Sequence, residues 1–237
     1  MAPKFVAPYR RGGKNDGNDA EAICEAVSRP SMRFVPVKSA AQQSVLALHR
    51  VRQGFVEERT ATLNRIRGLL AEFGHVLPQR AVEVRRRLPA LLDQLPPLAA
   101  RALGDLQAHV RVLDERVVEY ERELARLARS DERAQQVQAL CGVGPLTASA
   151  IIASVGSAHE FDNGRQFAAW LGLTPRQYST GGKARLGRIT CRGDSYLRGL
   201  LVQGARSALQ AAMRMAPERR SRLGAWMVAT HLRVGYL

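Results

Sequence analysis

Apolar residues recur at alternating spacings of three and four along the middle of the chain. They are Leu103, Leu106, Val110, Leu113, Val117, Tyr120, Leu124 and Leu127. A repeat of this kind is typical of the buried seam of a coiled coil. The same spacing occurs upstream, in a helix predicted over 39–74, at Leu63, Ile66, Leu70 and Phe73. Between the two segments, Pro89, Pro96 and Pro97 are expected to break the helix. The pattern therefore predicts a long helical hairpin over residues 41–130.

The seam of this hairpin has two possible partners, and the sequence leaves both open. The two helices can pack against each other as an antiparallel pair within one chain. Alternatively, the hairpin can pair with a second copy of the chain, which predicts a homo-oligomer formed through the coiled coil.

The segments on either side of the hairpin have different patterns. Residues 1–40 contain an acidic-faced helix, predicted over 16–28 and ended by an Arg-Pro pair, and then an extended segment over 33–39. In residues 131–237, glycine returns, and the pattern predicts short helices and turns. The predicted fold class is therefore mainly α, with three domains over 1–40, 41–130 and 131–237.

The composition indicates a folded protein with a polyanionic partner. Apolar residues make up 46% of the chain and charged residues 24%, which excludes wholesale disorder. There are 36 Lys and Arg residues against 21 Asp and Glu, a net charge of +15. Residues 183–237 hold 11 of these cations and two acids, a net of +9. A folded basic surface of this kind is typical of nucleic-acid binding, so DNA or RNA is the expected partner.

The sequence also argues against several other classes of protein. No run of 18 apolar residues occurs and no apolar signal region opens the chain, so neither a membrane span nor secretion is expected. Cys24, Cys141 and Cys191 lie far apart, which argues against a disulfide scaffold or a zinc site and favours a cytoplasmic protein. The five histidines are dispersed and receive no role.

A glycine-rich turn opens the third domain, in the stretch LCGVGPLTASA. Gly142 and Gly144 allow a tight turn, and the alanine-rich helix that follows would present free N–H groups to a phosphate. This is the pattern of a helix-hairpin-helix, which holds a nucleic-acid backbone without reading its sequence. The alternative is a turn between two packed helices with no ligand.

A second glycine-rich segment is predicted to be a basic loop, and it places a serine among cations. Ser179 is surrounded in sequence by Arg176, Lys183, Arg185 and Arg188. A hydroxyl in such a setting suits attack on a phosphodiester, because the cations would bind the phosphate and stabilise the developing charge. The alternative is a hydroxyl that only binds phosphate.

Two carboxylates lie three residues apart at the start of the first predicted helix. Asp16 and Asp19 would share one helix face. They can cap the helix and complement its dipole, or supply part of a Mg²⁺ site, which needs further acids from elsewhere.

Three separated motifs together resemble the IS110-type family of insertion-sequence transposases, most closely its IS1111 branch. They are KNDGNDAEAICEAVSRPSMRFVPVKS, QQSVLALHRVRQGFVEERTATLNRIRGLLAEFG, and the stretch that runs from LCGVGPLTASA to SYLRGLLVQGAR. The resemblance covers about residues 5–225. It implies a RuvC-like domain with an Asp-Glu-Asp-Asp Mg²⁺ site, a coiled coil and a transposase domain with a catalytic serine. Such proteins recombine insertion-sequence ends with target DNA, guided by a structured RNA.

By this resemblance, Asp16 and Asp19 match the last two acids of the metal site, and Ser179 matches the catalytic serine. Gly142 and Gly144 match the hairpin glycines. The candidate cations for holding nucleic acid are Arg176, Lys183, Arg185, Arg188 and Arg192.

The resemblance also implies what a complete member would add. The first two acids of the metal site and the first RuvC-like strands would precede Asp16, so we expect a copy truncated at the N-terminus and also at the C-terminus. Such a copy would bind nucleic acid in the bacterial nucleoid without recombining it. The alternatives are a non-enzymatic nucleic-acid-binding coiled-coil protein, and an interaction protein whose charge only keeps it in solution.

Overall fold

Helices account for most of the chain. The computed structural model describes residues 3–13, 15–30, 32, 34 and 37–235, and the prediction of a mainly α fold is confirmed. The chain divides into two units, Met1–Ser39 and Ala40–Leu237. The extended segment predicted over 33–39 includes residues 33, 35 and 36, which lie outside the described residues. No helix in the described ranges combines the length and the apolar character needed to cross a membrane.

The first unit contains α1 (Pro3–Val6) and α2 (Asp16–Val27). Helix α2 begins where it does because the side chain of Asn15 accepts a hydrogen bond of 2.7 Å from the backbone N–H of Asn18. Small side chains, Ala22 among them, form the buried face of the helix.

The second unit carries the remaining elements. They are α3 (Ala40–Glu72), α4 (Ala81–Leu92), α5 (Pro97–Ser130), α6 (Glu132–Gln138), α7 (Pro145–Val155), α8 (Gly164–Trp170), β1 (Pro175–Gln177), β2 (Leu186–Ile189), α9 (Ser195–Arg214) and α10 (Arg222–Val234).

Helices α3 and α5 lie antiparallel within the chain, each about 50 Å long at 1.5 Å per residue. Arg52 in the first half of α3 pairs with Glu121 in the second half of α5, and Arg59 pairs with Asp114 about two turns further along the hairpin. Most of the predicted seam of α5 is buried here, at Leu103, Val110, Leu113, Val117 and Leu124. An intramolecular hairpin therefore covers the seam, and pairing with a second copy is not needed to bury it.

The connector between these helices corrects one expectation. Pro89 was expected to break the helix, but it lies inside α4. The helix is retained because Val84 and Leu88 are buried in the core shared with α3 and α5, which offsets the hydrogen bond that proline removes. Pro97 occupies the first turn of α5, where its missing N–H removes no helical hydrogen bond.

The turn between α6 and α7 packs on α9 through a close backbone contact. Gly142, in the turn between α6 and α7, has φ +84°. A Cβ built on it would lie 2.6 Å from the carbonyl oxygen of Gly204 in α9, and a Cβ on Gly204 would overlap the carbonyl of Gly142. Only glycine at both positions allows the turn and the helix to approach this closely.

Candidate functional site

The segment around Ser179 forms a β-hairpin, whereas the sequence predicted an irregular loop. Strands β1 and β2 pair antiparallel, and a bridge between Thr180 and Lys183 extends the pairing to the tip. Gly181 and Gly182 form the two-residue turn with φ of +55° and +78°. Two successive positive φ angles are the signature of a type I′ turn, which matches the twist of paired strands.

The base of this hairpin is fixed between α8 and α9. The backbone N–H of Cys191 donates a hydrogen bond of 3.0 Å to the carbonyl of Gly172. A Cβ on Gly193 would overlap the carbonyl of Trp170 at the end of α8. The side chain of Asp194 then caps the first turn of α9. The hairpin is therefore held at its base and exposed along its strands and tip.

The hydroxyl of Ser179 is half-buried and accepts two hydrogen bonds. The donors are Nε2 of Gln177, at 2.9 Å, and the backbone N–H of Arg185, at 3.2 Å. Two donors aimed at one oxygen stabilise the negative charge that develops on it when a hydroxyl loses its proton to attack. No carboxylate or histidine in the described ranges is hydrogen-bonded to this oxygen, so the hairpin itself supplies no general base.

Cations surround the hydroxyl along the hairpin. The predicted nucleic-acid-binding cations are all exposed, and in the part of the chain that the structure describes none of them has an ion-pair partner: Arg176, Lys183, Arg185, Arg188 and Arg192. Unneutralised cations on one element create a local positive potential that attracts phosphate.

The predicted glycine turn lies apart from the serine hairpin. Gly142 contacts Gly204, ten residues after the Asp194 cap, which corresponds to about 15 Å along α9. Its positive φ and its contact with α9 have a packing explanation that needs no ligand. Gly144 is exposed and occupies the N-cap position of α7, with no side chain bonded to the first turn. A phosphate contact at this turn remains a prediction.

The two predicted metal ligands lie in the first turn of α2. Asp19 forms an ion pair with Arg10, with Nη1 and Oδ1 3.6 Å apart. Within the described ranges, no group of three or more His, Cys, Asp or Glu side chains is arranged to hold a metal ion. The residues present therefore do not form a complete Mg²⁺ site. The three cysteines are free and exposed.

The structure also shows a polar network that the sequence did not reveal. His49 of α3 is 1% exposed. Its Nδ1 lies 2.9 Å from Oη of Tyr196, and its Nε2 lies 3.0 Å from Oγ of Ser149. The Ser149 hydroxyl donates to the carbonyl of Leu146. Because its own proton is used there, the Ser149 oxygen accepts a hydrogen bond from the Nε2–H of His49. The unprotonated Nδ1 then accepts a hydrogen bond from the hydroxyl of Tyr196.

This network joins the long hairpin to the elements that hold the serine. His49 belongs to α3, Ser149 to α7 and Tyr196 to the first turn of α9. Burial, followed by the positive charge of Arg52, lowers the pKa of His49 from 6.5 to about 4. Burial also raises the pKa of Tyr196. Both side chains are therefore neutral at pH 7. The partners lie 100 and 147 residues from His49, so no local spacing signals the network.

Two family models, both of transposases, match this chain, one in each half. The family model described as "Transposase IS116/IS110/IS902 family" matches residues 134–221, which include Ser179, Gly142 and Gly144. A second model, described as "Transposase" and named for the DEDD transposases of IS110, matches residues 2–75, which include Asp16 and Asp19.

Individual relatives are similar over most of the chain. A protein named "Probable family 20 transposase", from Pseudomonas aeruginosa, is 50% identical over 218 residues, which cover 89% of this chain and 64% of the relative. The transposase of insertion sequence element IS1111A from Coxiella burnetii is 44% identical, with 89% and 59% covered. The transposase of IS1328 from Yersinia enterocolitica is 45% identical, with 89% and 63% covered. The chain thus spans about three fifths of the length of these relatives. The chain belongs to the IS110 family of insertion-sequence transposases.

Proposed function

We propose that the chain provides the DNA-joining part of an IS110-type transposase, with Ser179 as the nucleophile toward a DNA phosphodiester. The observation that carries this proposal is the setting of the hydroxyl. It accepts hydrogen bonds from Gln177 and Arg185 on an anchored hairpin, and it is flanked by exposed cations without ion-pair partners. A hydroxyl on an anchored element beside uncompensated cations suits attack on a phosphodiester, because the cations can stabilise the charge that develops.

In the proposed step, Oγ of Ser179 attacks the phosphorus of the scissile phosphate. A new Oγ–P bond forms, the bond from phosphorus to one deoxyribose oxygen breaks, and that oxygen leaves with the electron pair. The hydroxyl proton passes to solvent, since no base in the described residues accepts it, and the leaving oxygen takes up a proton. The cations Arg176, Lys183 and Arg188 bind the non-bridging oxygens, where negative charge increases.

For the whole transposase we propose Mg²⁺, with Asp16 and Asp19 as two of its ligands in a RuvC-like domain. Two acids of one helical turn do not form a complete site, so the metal would need further ligands. We propose that this chain alone binds DNA or RNA and leaves ordinary phosphodiester bonds intact.

Three further proposals concern its partners. The α6–α7 turn would act as a helix-hairpin-helix at the DNA backbone, through the free N–H groups at the start of α7. A structured guide RNA and a site of action in the bacterial nucleoid follow from the family. A homo-oligomer would use the outer surface of the long hairpin, where Val51, Val112 and Val118 are exposed.

The role of the serine is best tested with DNA that contains a bridging phosphorothiolate, placed on the 3′ or the 5′ side of the phosphate. Sulfur leaves far more readily than oxygen, so the attack no longer depends on stabilisation of the leaving group. We expect a covalent protein–DNA adduct, detected by denaturing gel and mass spectrometry. Ser179→Ala should abolish the adduct, whereas Thr180→Ala, at the neighbouring hydroxyl, should retain it.

Two results would contradict the proposal in different ways. If neither phosphorothiolate gives an adduct while the chain binds the same DNA, Ser179 is not a nucleophile. If ordinary DNA with Mg²⁺ gives cleavage products, the acids of this chain suffice for metal chemistry after all.

A non-enzymatic nucleic-acid-binding protein remains the second candidate. It is favoured by the absence of a hydrogen-bonded base at Ser179 among the described residues. In that case Ser179→Ala weakens DNA binding only slightly and no adduct forms on any substrate.

A further inference from the structure

A polar cleft of about 600 Å³ lies on the long helical hairpin, apart from the serine site. Its polar lining comes from α3, α4 and the segment between them, and consists of Arg59, Thr60, Asn64, Arg67, Gln79 and Arg85. Arg67 is 18 residues along α3 from His49, the residue that contacts the start of α9. This separation corresponds to about 27 Å. The cleft therefore belongs to neither the serine hairpin nor the glycine turn.

The cleft carries more positive charge than its surroundings neutralise. Arg59 and Arg85 both bind the carboxylate of Asp114, at 3.0 Å and at 2.8–2.9 Å. Arg67 donates to the side-chain oxygen of Asn64 and to the backbone carbonyl of Gln79, which are both neutral acceptors. The cleft thus has three positive guanidinium groups and one carboxylate beside them. The charge of Arg67 has no counter-ion within the described residues.

Arg67 also has a donor that its neighbours leave unused. Its Nε is buried and has no hydrogen-bond partner in the described part of the chain, although the two terminal nitrogens are both bonded. A buried N–H without an acceptor is unfavourable. This N–H is closed to solvent, but the guanidinium group that carries it belongs to a residue that lines the cleft, where an oxyanion would neutralise its charge.

We propose that this cleft is a binding site for a phosphate group, with Arg67 as its central ligand. Guanidinium forks match the spacing of phosphate oxygens and bind them in pairs. The cleft is larger than a single phosphate ion, and its volume lies in the range that holds a nucleotide-sized group. The phosphate would come from a nucleic-acid backbone or from a free phosphate compound. The proposal does not depend on catalysis by Ser179.

The first test measures binding of inorganic phosphate to the full chain by isothermal titration calorimetry, at constant ionic strength set with chloride. We expect Arg67→Gln to weaken binding at least tenfold. Arg86→Gln is the matched control, because Arg86 is an exposed arginine of α4 that pairs with Glu83 and does not line the cleft. Equal weakening by the two variants would overturn the proposal, since only net charge would then matter.

A second variant changes affinity in the opposite direction, which loss of folding cannot imitate. Asp114→Asn releases Arg59 and Arg85 from their shared carboxylate, so phosphate should bind several-fold more tightly. Glu119→Gln removes the same charge from an exposed pair on α5 and should have little effect. Unchanged or weaker phosphate binding in Asp114→Asn would overturn the proposal.

The source of the phosphate is decided by repeating the titrations with a short oligonucleotide. If Arg67→Gln weakens oligonucleotide binding at least as much as phosphate binding, the cleft takes a nucleic-acid backbone. If only inorganic phosphate depends on Arg67, the ligand is a free phosphate compound. If neither ligand depends on Arg67, the cleft is not a phosphate site.

Discussion

Mild acid should destabilise this protein through a single buried histidine. In the folded chain His49 is neutral, with a pKa of about 4, whereas in the unfolded chain it returns to about 6.5. Between these values the unfolded state binds the extra proton and the folded state does not. The stability contributed by His49 is therefore complete above about pH 6.5 and is lost as the pH falls toward 4.

The size of the effect follows from the two pKa values. Lowering the pH from about 7.5 to about 5 should remove about 2 kcal/mol from the free energy of unfolding. For a chain of this size, that corresponds to a fall of about 4–8 °C in Tm. The structural reason is that the protonated ring has two N–H donors. Nδ1 would then present a proton to the tyrosine hydroxyl instead of accepting one, on a ring that is almost fully buried.

Thermal unfolding of the wild type, His49→Gln and His159→Gln across this pH range isolates the effect. His49→Gln should lose about 1–3 kcal/mol at neutral pH because it breaks the network. It should then lose about 2 kcal/mol less than the wild type on acidification, so the two curves converge. His159 is exposed, and its variant should follow the wild type. Parallel pH curves for the wild type and His49→Gln would refute the reasoning.

Two further predictions concern packing and charge. Gly204→Ala places a Cβ into the carbonyl of Gly142 and should destabilise the fold by about 1–3 kcal/mol in chemical denaturation. Gly199→Ala, in open space on the same helix, should be neutral or stabilising, and an equal loss in both variants would contradict the close contact. Arg185→Gln should lower the salt slope of DNA binding by about one phosphate contact, while Arg126→Gln, whose arginine already pairs with Glu123, should leave the slope unchanged. Identical salt slopes in the wild type and both variants would show that the β-hairpin around Ser179 does not contact phosphate.

The long helices were predictable because their packing is local and periodic. The seam of α5 has one apolar side chain every three or four residues, most of them buried, and sequence spacing alone identifies it. Pro89 shows the limit of local rules. Proline disfavours a helix interior, but burial of Leu88 beside it decides the outcome, and burial depends on α3 and α5.

The hairpin and the histidine network were missed for different physical reasons. The strands β1 and β2 are short and exposed on both faces, so they lack the alternation of apolar and polar residues that marks a strand. Their one signal is Gly181-Gly182, a two-residue pair typical of a type I′ turn. His49 gives no signal at all, since its partners come from distant parts of the chain.

Helix α9 links the serine hairpin to the rest of the second unit. Its cap, Asp194, follows directly from the hairpin base, Tyr196 in its first turn contacts α3 through His49, and Gly204 contacts the α6–α7 turn. A misplacement of about 1 Å can slow a reaction about 100-fold, so the role proposed for Ser179 requires that the element which fixes the hairpin is itself fixed. At the tip of the hairpin, the two glycines of the turn have open space where a Cβ would lie, so the described residues give the tip no comparable support. The architecture thus fixes the base of the hairpin that carries Ser179 by tertiary contacts, which the proposed attack by its hydroxyl requires.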